Sequence, residues 1–137
     1  MPSKNAKAWK ALKTALESYP ALPFVAYGGQ SFDPPDNAPY LIVDDVRFEP
    51  VRNKYGSNSK NWNTGNLSIN TMTPIEWTDV QHAEYIGDIS DYFAQDMAMT
   101  YDDVTLRVSQ QPAIANAGYR DGDMWRQTLL VNWEGWL

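Results

Sequence analysis

Apolar residues recur at helical spacing near the beginning of the chain. They lie three and four residues apart, which is the spacing of one face of an α-helix. Ser3 is a residue type that favours the N-cap position, and Pro20 cannot continue a helix. The pattern predicts a helix from Ser3 to about Tyr19, with four lysines mainly on its other side. The apolar stripe consists of Trp9, Leu12, Leu16 and Tyr19.

Five later segments have the composition or the alternation of β-strands. Alternate residues of a strand point to opposite faces of the sheet, so Leu67 and Ile69 are predicted to point inward, as are Val104, Leu106 and Val108. The region between the last two strands, 112–123, contains two glycines and is predicted to be a loop. The predicted strands are Phe24–Tyr27, Tyr40–Glu49, Gly65–Thr73, Asp103–Ser109 and Trp125–Trp133.

A second helix has two possible starts. Thr73-Pro74-Ile75-Glu76 fits a capping box with proline at the first helical position, and Thr78 offers a later start. The helix is predicted to end near Met97. Gly87 lowers helix stability by about 1 kcal/mol relative to alanine, so we expect it to permit close packing against the sheet. The predicted buried stripe is Val80, Ala83, Ile86, Ile89, Phe93 and Met97.

These elements predict one α+β domain spanning residues 1–137. Their order is α-β-β-β-α-β-β, which favours two helices packed on one face of a mostly antiparallel sheet. Residues 50–64 are polar and join two strands, so they are predicted to form the extended tip of a hairpin. A connection of this length in a compact domain is usually functional or disordered.

Composition and charge exclude several classes of protein. The formal net charge is −6, whereas a protein that grips duplex DNA is normally basic because it neutralises phosphates. The chain has no Cys, which excludes a disulfide scaffold and a thiolate metal site. No segment approaches the ~20 apolar residues of a membrane span, and the N-terminus lacks the apolar stretch of a signal peptide. We therefore expect a soluble protein that is not exported by a signal peptide and has no membrane partner.

No catalytic constellation is apparent. His82 is the only histidine, so it has no second His or Cys with which to bind a metal or to form a catalytic pair. No nucleophile elbow or glycine-rich phosphate loop occurs. Asp44-Asp45, Asp102-Asp103 and Asp121-Gly122-Asp123 fit turns and strand ends, and the alternative is a loosely held divalent cation at an assembly interface. We expect no catalytic residues, no cofactor and no resident metal.

Three groups of residues are candidates for an interface. Glu84, Asp88 and Asp91 share one face of the second helix, which is either a solvated face or a surface for a basic neighbour. The lysines of the first helix could supply that neighbour in a second copy. The hairpin tip combines cations with aromatic residues. This combination fits a docking arm for another protein better than a site for single-stranded nucleic acid. The alternative is a mobile tip without a binding role. The candidates on the first helix are Lys7, Lys10 and Lys13, and those on the tip are Arg52, Lys54, Tyr55, Lys60 and Trp62.

The chain as a whole resembles the tail terminator family of long-tailed bacteriophages. The resemblance covers residues 3–133 and lies in the order of elements more than in any one motif. It departs from the family at Glu76-Trp77, where many relatives have small residues. The stretches that carry it are Asp33-Pro-Pro-Asp-Asn-Ala-Pro-Tyr-Leu-Ile-Val, Gly65-Asn-Leu-Ser-Ile-Asn, Thr73-Pro74, Ile89-Ser-Asp-Tyr-Phe93 and Trp125-Arg-Gln-Thr-Leu-Leu-Val-Asn-Trp133.

The resemblance implies a structural virion protein. Six subunits would form a ring at the head-proximal end of the tail, cap the tail tube protein, end its polymerisation and present a docking surface to a head-completion or neck protein. DNA would pass through the lumen without specific binding. One alternative is a head-closure or connector ring of the neck. A second alternative is a small monomeric ligand-binding or enzymatic α+β domain.

Overall fold

The computed structural model describes residues 3–28, 33, 37–51, 62–115 and 117–136, with the backbone alone for 44–51. Within these ranges five strands follow the second helix, where the sequence predicted two. The additional strands are short, and two of them lie in the segment 112–123 that was predicted to be a loop. In chain order the elements are α1 (Lys4–Glu17), β1 (Phe24–Tyr27), β2 (Tyr40–Val51), β3 (Trp62–Pro74), α2 (Asp79–Tyr92), β4 (Ala98–Tyr101), β5 (Val104–Val108), β6 (Ala113–Ile114), β7 (Tyr119–Asp121) and β8 (Met124–Trp136).

The strands form one mostly antiparallel sheet, as predicted. Their order is β1-β2-β3-β8-β5-β4, and β6 and β7 pair with β8 beside this path. Only the β1–β2 pairing among the described strands is parallel. The two central strands, β3 and β8, pair along their whole lengths, from Trp62 opposite Trp136 to Pro74 opposite Met124. This long ladder is the framework on which the other elements are placed.

Helix α1 begins and ends close to the predicted positions. The Ser3 side chain accepts a hydrogen bond from the Ala6 amide, and the helix ends at Glu17. Its predicted stripe is confirmed, since Leu12 and Leu16 are buried in the core and Trp9 and Tyr19 are partly buried against it. Three alanines join the buried side, which lets the helix lie close to the sheet. They are Ala8, Ala11 and Ala15.

Both edges of the sheet approach α1. The Trp9 ring packs edge-on against Tyr27 of β1, with 5.9 Å between ring centroids. Farther along the sheet, the Lys10 ammonium lies 5.1 Å from the ring centroid of Tyr101 in β4. Because β1 and β4 are the two ends of the strand order, the sheet curls so that one helix lies against both edge strands.

Helix α2 uses the second of its two possible starts. Thr78 is the N-cap and forms a capping box with Gln81, whereas Thr73 and Pro74 extend β3 by pairing with β8. The first possible start is therefore wrong, because ladder pairing holds those two residues in a strand. The helix also ends at Tyr92 and not near Met97, since Phe93 leaves helical geometry and β4 follows.

The buried face of α2 is rotated from the predicted stripe. Ile86 and Ile89 are buried as expected, but Val80 and Ala83 are exposed and His82 takes their place on the inner side. The expectation for Gly87 is also wrong, because a Cβ atom built there would meet no atom within 4 Å. The true start at Thr78 places His82, and not Ala83, above the end of the β3–β8 ladder.

The β3–β8 ladder has an inner and an outer face. The inner face carries Leu67, Ile69, Leu129, Val131 and Trp133, which form one cluster with the buried side chains of α1 and α2. Alternate residues belong to the other side, which we call the outer face. That both helices pack on one face of the sheet remains a prediction. On the outer face lie Trp62, Thr64, Asn66 and Ser68 of β3 and Arg126, Thr128, Leu130, Asn132, Glu134 and Trp136 of β8.

Candidate assembly surfaces

The acidic side of α2 is exposed. Glu84, Asp88 and Asp91 are all exposed, and none of them forms an ion pair with another residue in the described part of the chain. Val80 lies on the same helix with 59% of its surface exposed. A helix side with three uncompensated carboxylates and an exposed apolar residue is suited to a basic partner surface.

The lysines of α1 have partners within their own chain. Lys7 Nζ lies 2.8 Å from Asp103 Oδ1 and 2.9 Å from Asp102 Oδ2. Hydrogen bonds to these two carboxylates raise the pKa of Lys7, and Asp103 has the larger effect. Lys10 donates to the Tyr101 hydroxyl at 3.4 Å, and Lys13 lies over the Tyr27 ring at 4.4 Å. The basic side of α1 is therefore first of all a set of contacts to β1 and to the β4–β5 turn.

The Asp102-Asp103 pair illustrates why the acid pairs of the sequence need not bind a cation. Asp102 has a φ of +54°, the left-handed conformation that a tight turn between β4 and β5 requires. Asp121 accepts a hydrogen bond from Arg126 at 3.3 Å, across the β7–β8 hairpin. Among the described residues no group of three or more His, Cys, Asp or Glu could hold a metal ion. The side chains of Asp44 and Asp45 lie outside the described part of the chain, so a cation site there stays a prediction.

An aromatic cleft opens at the end of the central ladder. The rings of Trp62 and Trp136 meet edge-on, with centroids 4.9 Å apart, because these residues are opposite each other in the ladder. The cleft has a volume of about 450 Å³. Gly135 allows β5 to approach closely, since a Cβ atom there would lie 2.6 Å from Leu106 Cδ2. The remaining lining residues are Thr105, Arg107 and Glu134.

Two ion pairs of Arg107 border the aromatic cleft. Arg107 Nε donates to Glu134 Oε1 at 2.6 Å, and Asp96 lies 3.9 Å from the same guanidinium. The Glu134 side chain is 18% exposed, while that of Arg107 is 53% exposed. The guanidinium therefore lies at the rim of the cleft, with its charge balanced by residues of its own chain.

A smaller polar cleft adjoins the aromatic one. It has a volume of about 220 Å³ and is lined mainly by neutral amides and hydroxyls. Asn66 and Asn132 lie opposite each other in the ladder, although asparagine is depleted in strands. Both side chains are partly exposed, and they add amide donors and acceptors to the outer face at the centre of the sheet. The other lining residues are Thr64, Gly65, Ser109, Gln110 and Trp133.

Trp62 is not on the hairpin tip where the sequence placed it. It is the first residue of β3, and β2 continues to Val51, so 50, 51 and 62–64 belong to strands and not to the connection. Regular ladder pairing, which a polar composition does not reveal, extends both strands. Arg52, Lys54, Tyr55 and Lys60 lie outside the described residues, and their role as an interface remains a prediction.

His82 is part of the packing between α2 and the sheet. Its Nδ1 lies 2.6 Å from the Thr73 hydroxyl, and its ring stacks on Trp125 with centroids 5.6 Å apart. Burial lowers the pKa of the imidazole, which favours the neutral form. The geometry is that of a structural histidine packed against two tryptophans, since the Trp77 ring centroid also lies 6.2 Å from that of His82. No helix in the described ranges is long and apolar enough to cross a membrane.

Sequence reasoning missed most of the outer-face site. Arg107, Glu134 and Trp136 are not among the candidates that the sequence indicates, and residues 134–137 lie beyond the stretch 3–133 that carries the family resemblance. One signal was available for Glu134, because the alternation of apolar and polar residues from Val131 continues through it, whereas Gly135 and Trp136 do not follow that alternation. The pairing of Trp136 with Trp62 could not be read from it, since register between distant strands is a property of the folded sheet.

Comparison with known proteins identifies the family. A family model described as "Phage tail terminator protein" matches residues 7–133, which is nearly the whole chain. The chain therefore belongs to the phage tail terminator family, and it is a structural protein of the bacteriophage tail. A solved structure, whose name states no function, is similar over 96% of this chain and 92% of that chain, with a TM-score of 0.66 and 19% identity, and this likeness concerns the fold alone. No curated protein matches the chain.

Proposed function

We propose that the protein forms a closed ring of six subunits that caps the head-proximal end of the tail tube. The ring ends polymerisation of the tube protein and presents a docking surface to the head-completion or neck protein. It has no catalytic activity, and it assembles in the host cytoplasm. The observation that carries this proposal is the match to the tail terminator family over residues 7–133.

The charge of the chain supports passage of DNA through such a ring. Each subunit has a formal net charge of −6, so a ring of six has a formal charge of 6 × −6 = −36, and we propose that part of this charge faces the lumen. A negative wall repels phosphates, and DNA slides past it without the ion pairs that hold it on an ordinary DNA-binding protein. We propose passage without specific binding.

A ring requires two different, complementary patches on every subunit. The exposed acidic side of α2 is one candidate patch, because Glu84, Asp88 and Asp91 have no counter-ion in the described part of their own chain. The lysines of α1 are the candidate complement in a neighbour. Since Lys7 already binds Asp102 and Asp103, that pairing requires the lysine to be shared between the two sites or to change partners.

The deciding experiment joins native mass spectrometry and negative-stain imaging with a capping assay. The purified protein is added to tail tubes assembled without it, and tube lengths are measured. We expect closed rings, six-fold in outline, at one end of tubes that no longer grow. Tubes that grow unchanged in the presence of the protein would contradict the proposal, and binding to portal or adaptor rings would identify a head-closure protein in its place.

A further inference from the structure

The aromatic and polar clefts lie next to each other along β3 and β8, on the outer face of the sheet, and together we call them the outer groove. Trp62 and Asn66 lie four residues apart on β3 and point to the same side, with Thr64 between them. On β8 the same step leads from Trp136 through Glu134 to Asn132. The outer groove therefore has an apolar end that can receive a side chain and a polar end made of amides and hydroxyls.

The chemistry of the outer groove fits an uncharged, extended segment of protein. The charge of Arg107 at its rim is already paired within the chain, with Glu134 and Asp96, so a charged partner would have to compete with these ion pairs. Amide side chains both donate and accept hydrogen bonds, as a peptide backbone does. A suitable occupant therefore carries one large apolar residue for the aromatic end, flanked by small residues that leave its backbone accessible.

Strand β6 of the same protein has these properties. Ile114 is one of the few large apolar side chains that the structure leaves exposed, with 50% of its surface accessible. Its neighbours Ala113 and Ala115 are small and also exposed. No residue between 110 and 119 is charged. Among the described strands β6 pairs only with β8, so its other edge is available to a partner.

Strand β6 cannot reach the outer groove of its own chain. Ile114 is opposite Leu129 in β8, whereas the aromatic cleft lies at Gly135, six residues farther along that strand. At the rise of a β-strand this separation is about 20 Å. Both sites are fixed to the same ladder, so only a second copy can bring β6 to the groove. A groove and a strand that differ from each other make a heterologous contact, the type that closes a ring.

We infer that the outer groove binds β6 of a second copy of this chain, with Ile114 packed in the aromatic cleft against the rings of Trp62 and Trp136. The inference rests on the proposed self-association and names the contact that produces it. In this arrangement Asn66 and Asn132 lie about 13 Å along the strands from the Ile114 side chain, so the segment that continues from β6 of the partner copy runs toward them, and the Arg107–Glu134 pair remains intact at the rim.

Cysteine cross-linking tests the contact directly, because the chain has no cysteine of its own. Ile114→Cys is introduced into one preparation and Thr105→Cys, at the cleft, into another that differs in mass by isotope labelling. The two are mixed under assembly conditions and treated with a short thiol-to-thiol cross-linker. We expect a covalent dimer of mixed mass to be the main product. The Tyr119→Cys variant is the matched control, since Tyr119 is equally exposed at 49% but lies beside charged residues, and it should give no such dimer.

A second measurement separates this contact from the ring itself. Ile114→Asp should raise the concentration needed for assembly by about tenfold or more, as expected for an anchor residue, whereas Tyr119→Asp should leave it unchanged. Rings that form without the 114–105 cross-link would overturn the groove contact and leave the proposed function standing. A cross-linked dimer from a protein that fails to cap tail tubes would support the contact and overturn the proposed function.

Discussion

Lys7 lies within 2.8 Å of Asp103, which joins the first turn of α1 to the turn between β4 and β5. The same lysine was predicted from the sequence to face the acidic helix of a neighbouring subunit. Lys7 can therefore stabilise its own subunit, bind a neighbouring subunit, or do both. Exchanging the charges of Lys7 and its two aspartate partners distinguishes these roles.

We predict that Lys7→Glu lowers the melting temperature of the isolated subunit, because it places three carboxylates together. The triple exchange Lys7→Glu with Asp102→Lys and Asp103→Lys restores attraction at this site and should recover most of the loss. The effect should shrink at high salt, since exposed ion pairs are screened. Thermal unfolding at low and at high salt measures both variants.

Assembly of the exchanged variant decides the role of Lys7 between subunits. If the lysine acts only within its chain, the triple exchange forms rings as the unaltered protein does. If it also meets Glu84, Asp88 and Asp91 of a neighbour, the exchange recovers stability but not assembly. Native mass spectrometry separates the two outcomes.

His82 should make the stability of the subunit depend on pH near neutrality. Burial lowers its pKa below the ordinary value of 6.5, so between these two pKa values the unfolded chain binds more protons than the folded one. The contribution of His82 is therefore fully present above about pH 6.5 and is lost as the pH falls toward the folded-state value. For one proton the slope is at most about 1.4 kcal/mol per pH unit.

The test is denaturant unfolding at several pH values between 5.5 and 7.5, with His82→Gln as the comparison. His82 is the only histidine, so the variant has no side chain left that ordinarily titrates in this range. We expect the free energy of unfolding to vary less with pH in the variant. Equal slopes in the two proteins would show that another group is responsible.

Gly87 is a position where a substitution can stabilise helix α2. It lies inside α2, and a Cβ atom there meets nothing within 4 Å, so alanine fits without strain. We predict that Gly87→Ala raises the free energy of unfolding by about 1 kcal/mol, because glycine is the poorer helix former. Ala83→Gly, on an exposed position of the same helix, is the matched control and should lower it by a similar amount. A loss of stability in Gly87→Ala would disprove the open space found at this position.

The two helices illustrate what local sequence can determine. Ser3 and the three-and-four spacing after it define α1 correctly, because capping and amphipathicity are properties of neighbouring residues. The start of α2 was ambiguous for the same reason, since Thr73 and Thr78 both begin an acceptable capping sequence. Pairing of Thr73 with Trp125, a residue distant in sequence, decides between them.

The candidate site depends almost entirely on such distant pairing. Alternation identified β8, but it does not reveal that Trp136 faces Trp62 or that Asn132 faces Asn66. Strands β4 and β6 are too short to show a period, and they form because β5 and β8 offer them partners. The charged residues of α1 and α2 were visible in the sequence, whereas the neutral groove on the outer face was not.

Gly135 allows the close approach of β5 to β8 that shapes the aromatic cleft, and its substitution should lower the stability of the subunit. A Cβ atom at this position would lie 2.6 Å from Leu106 Cδ2 and 2.9 Å from the Thr105 carbonyl oxygen. A leucine methyl group can turn aside, but the carbonyl belongs to the backbone of β5, so the strand itself must move. We predict that Gly135→Ala lowers the free energy of unfolding by about 1–3 kcal/mol, as overpacking of a buried site does.

Denaturant unfolding followed by tryptophan fluorescence measures this loss, and Gly87→Ala provides the same chemical change with the opposite expected sign. Because β5 also carries Arg107 and Thr105, a shift of the strand should alter the groove as well as the stability. The cross-link between Thr105→Cys and Ile114→Cys should therefore weaken in the Gly135→Ala background under conditions where the subunit remains folded. An unchanged stability together with an unchanged cross-link would mean that β5 accommodates the methyl group without moving, and that the close approach of the two strands is not what shapes the cleft.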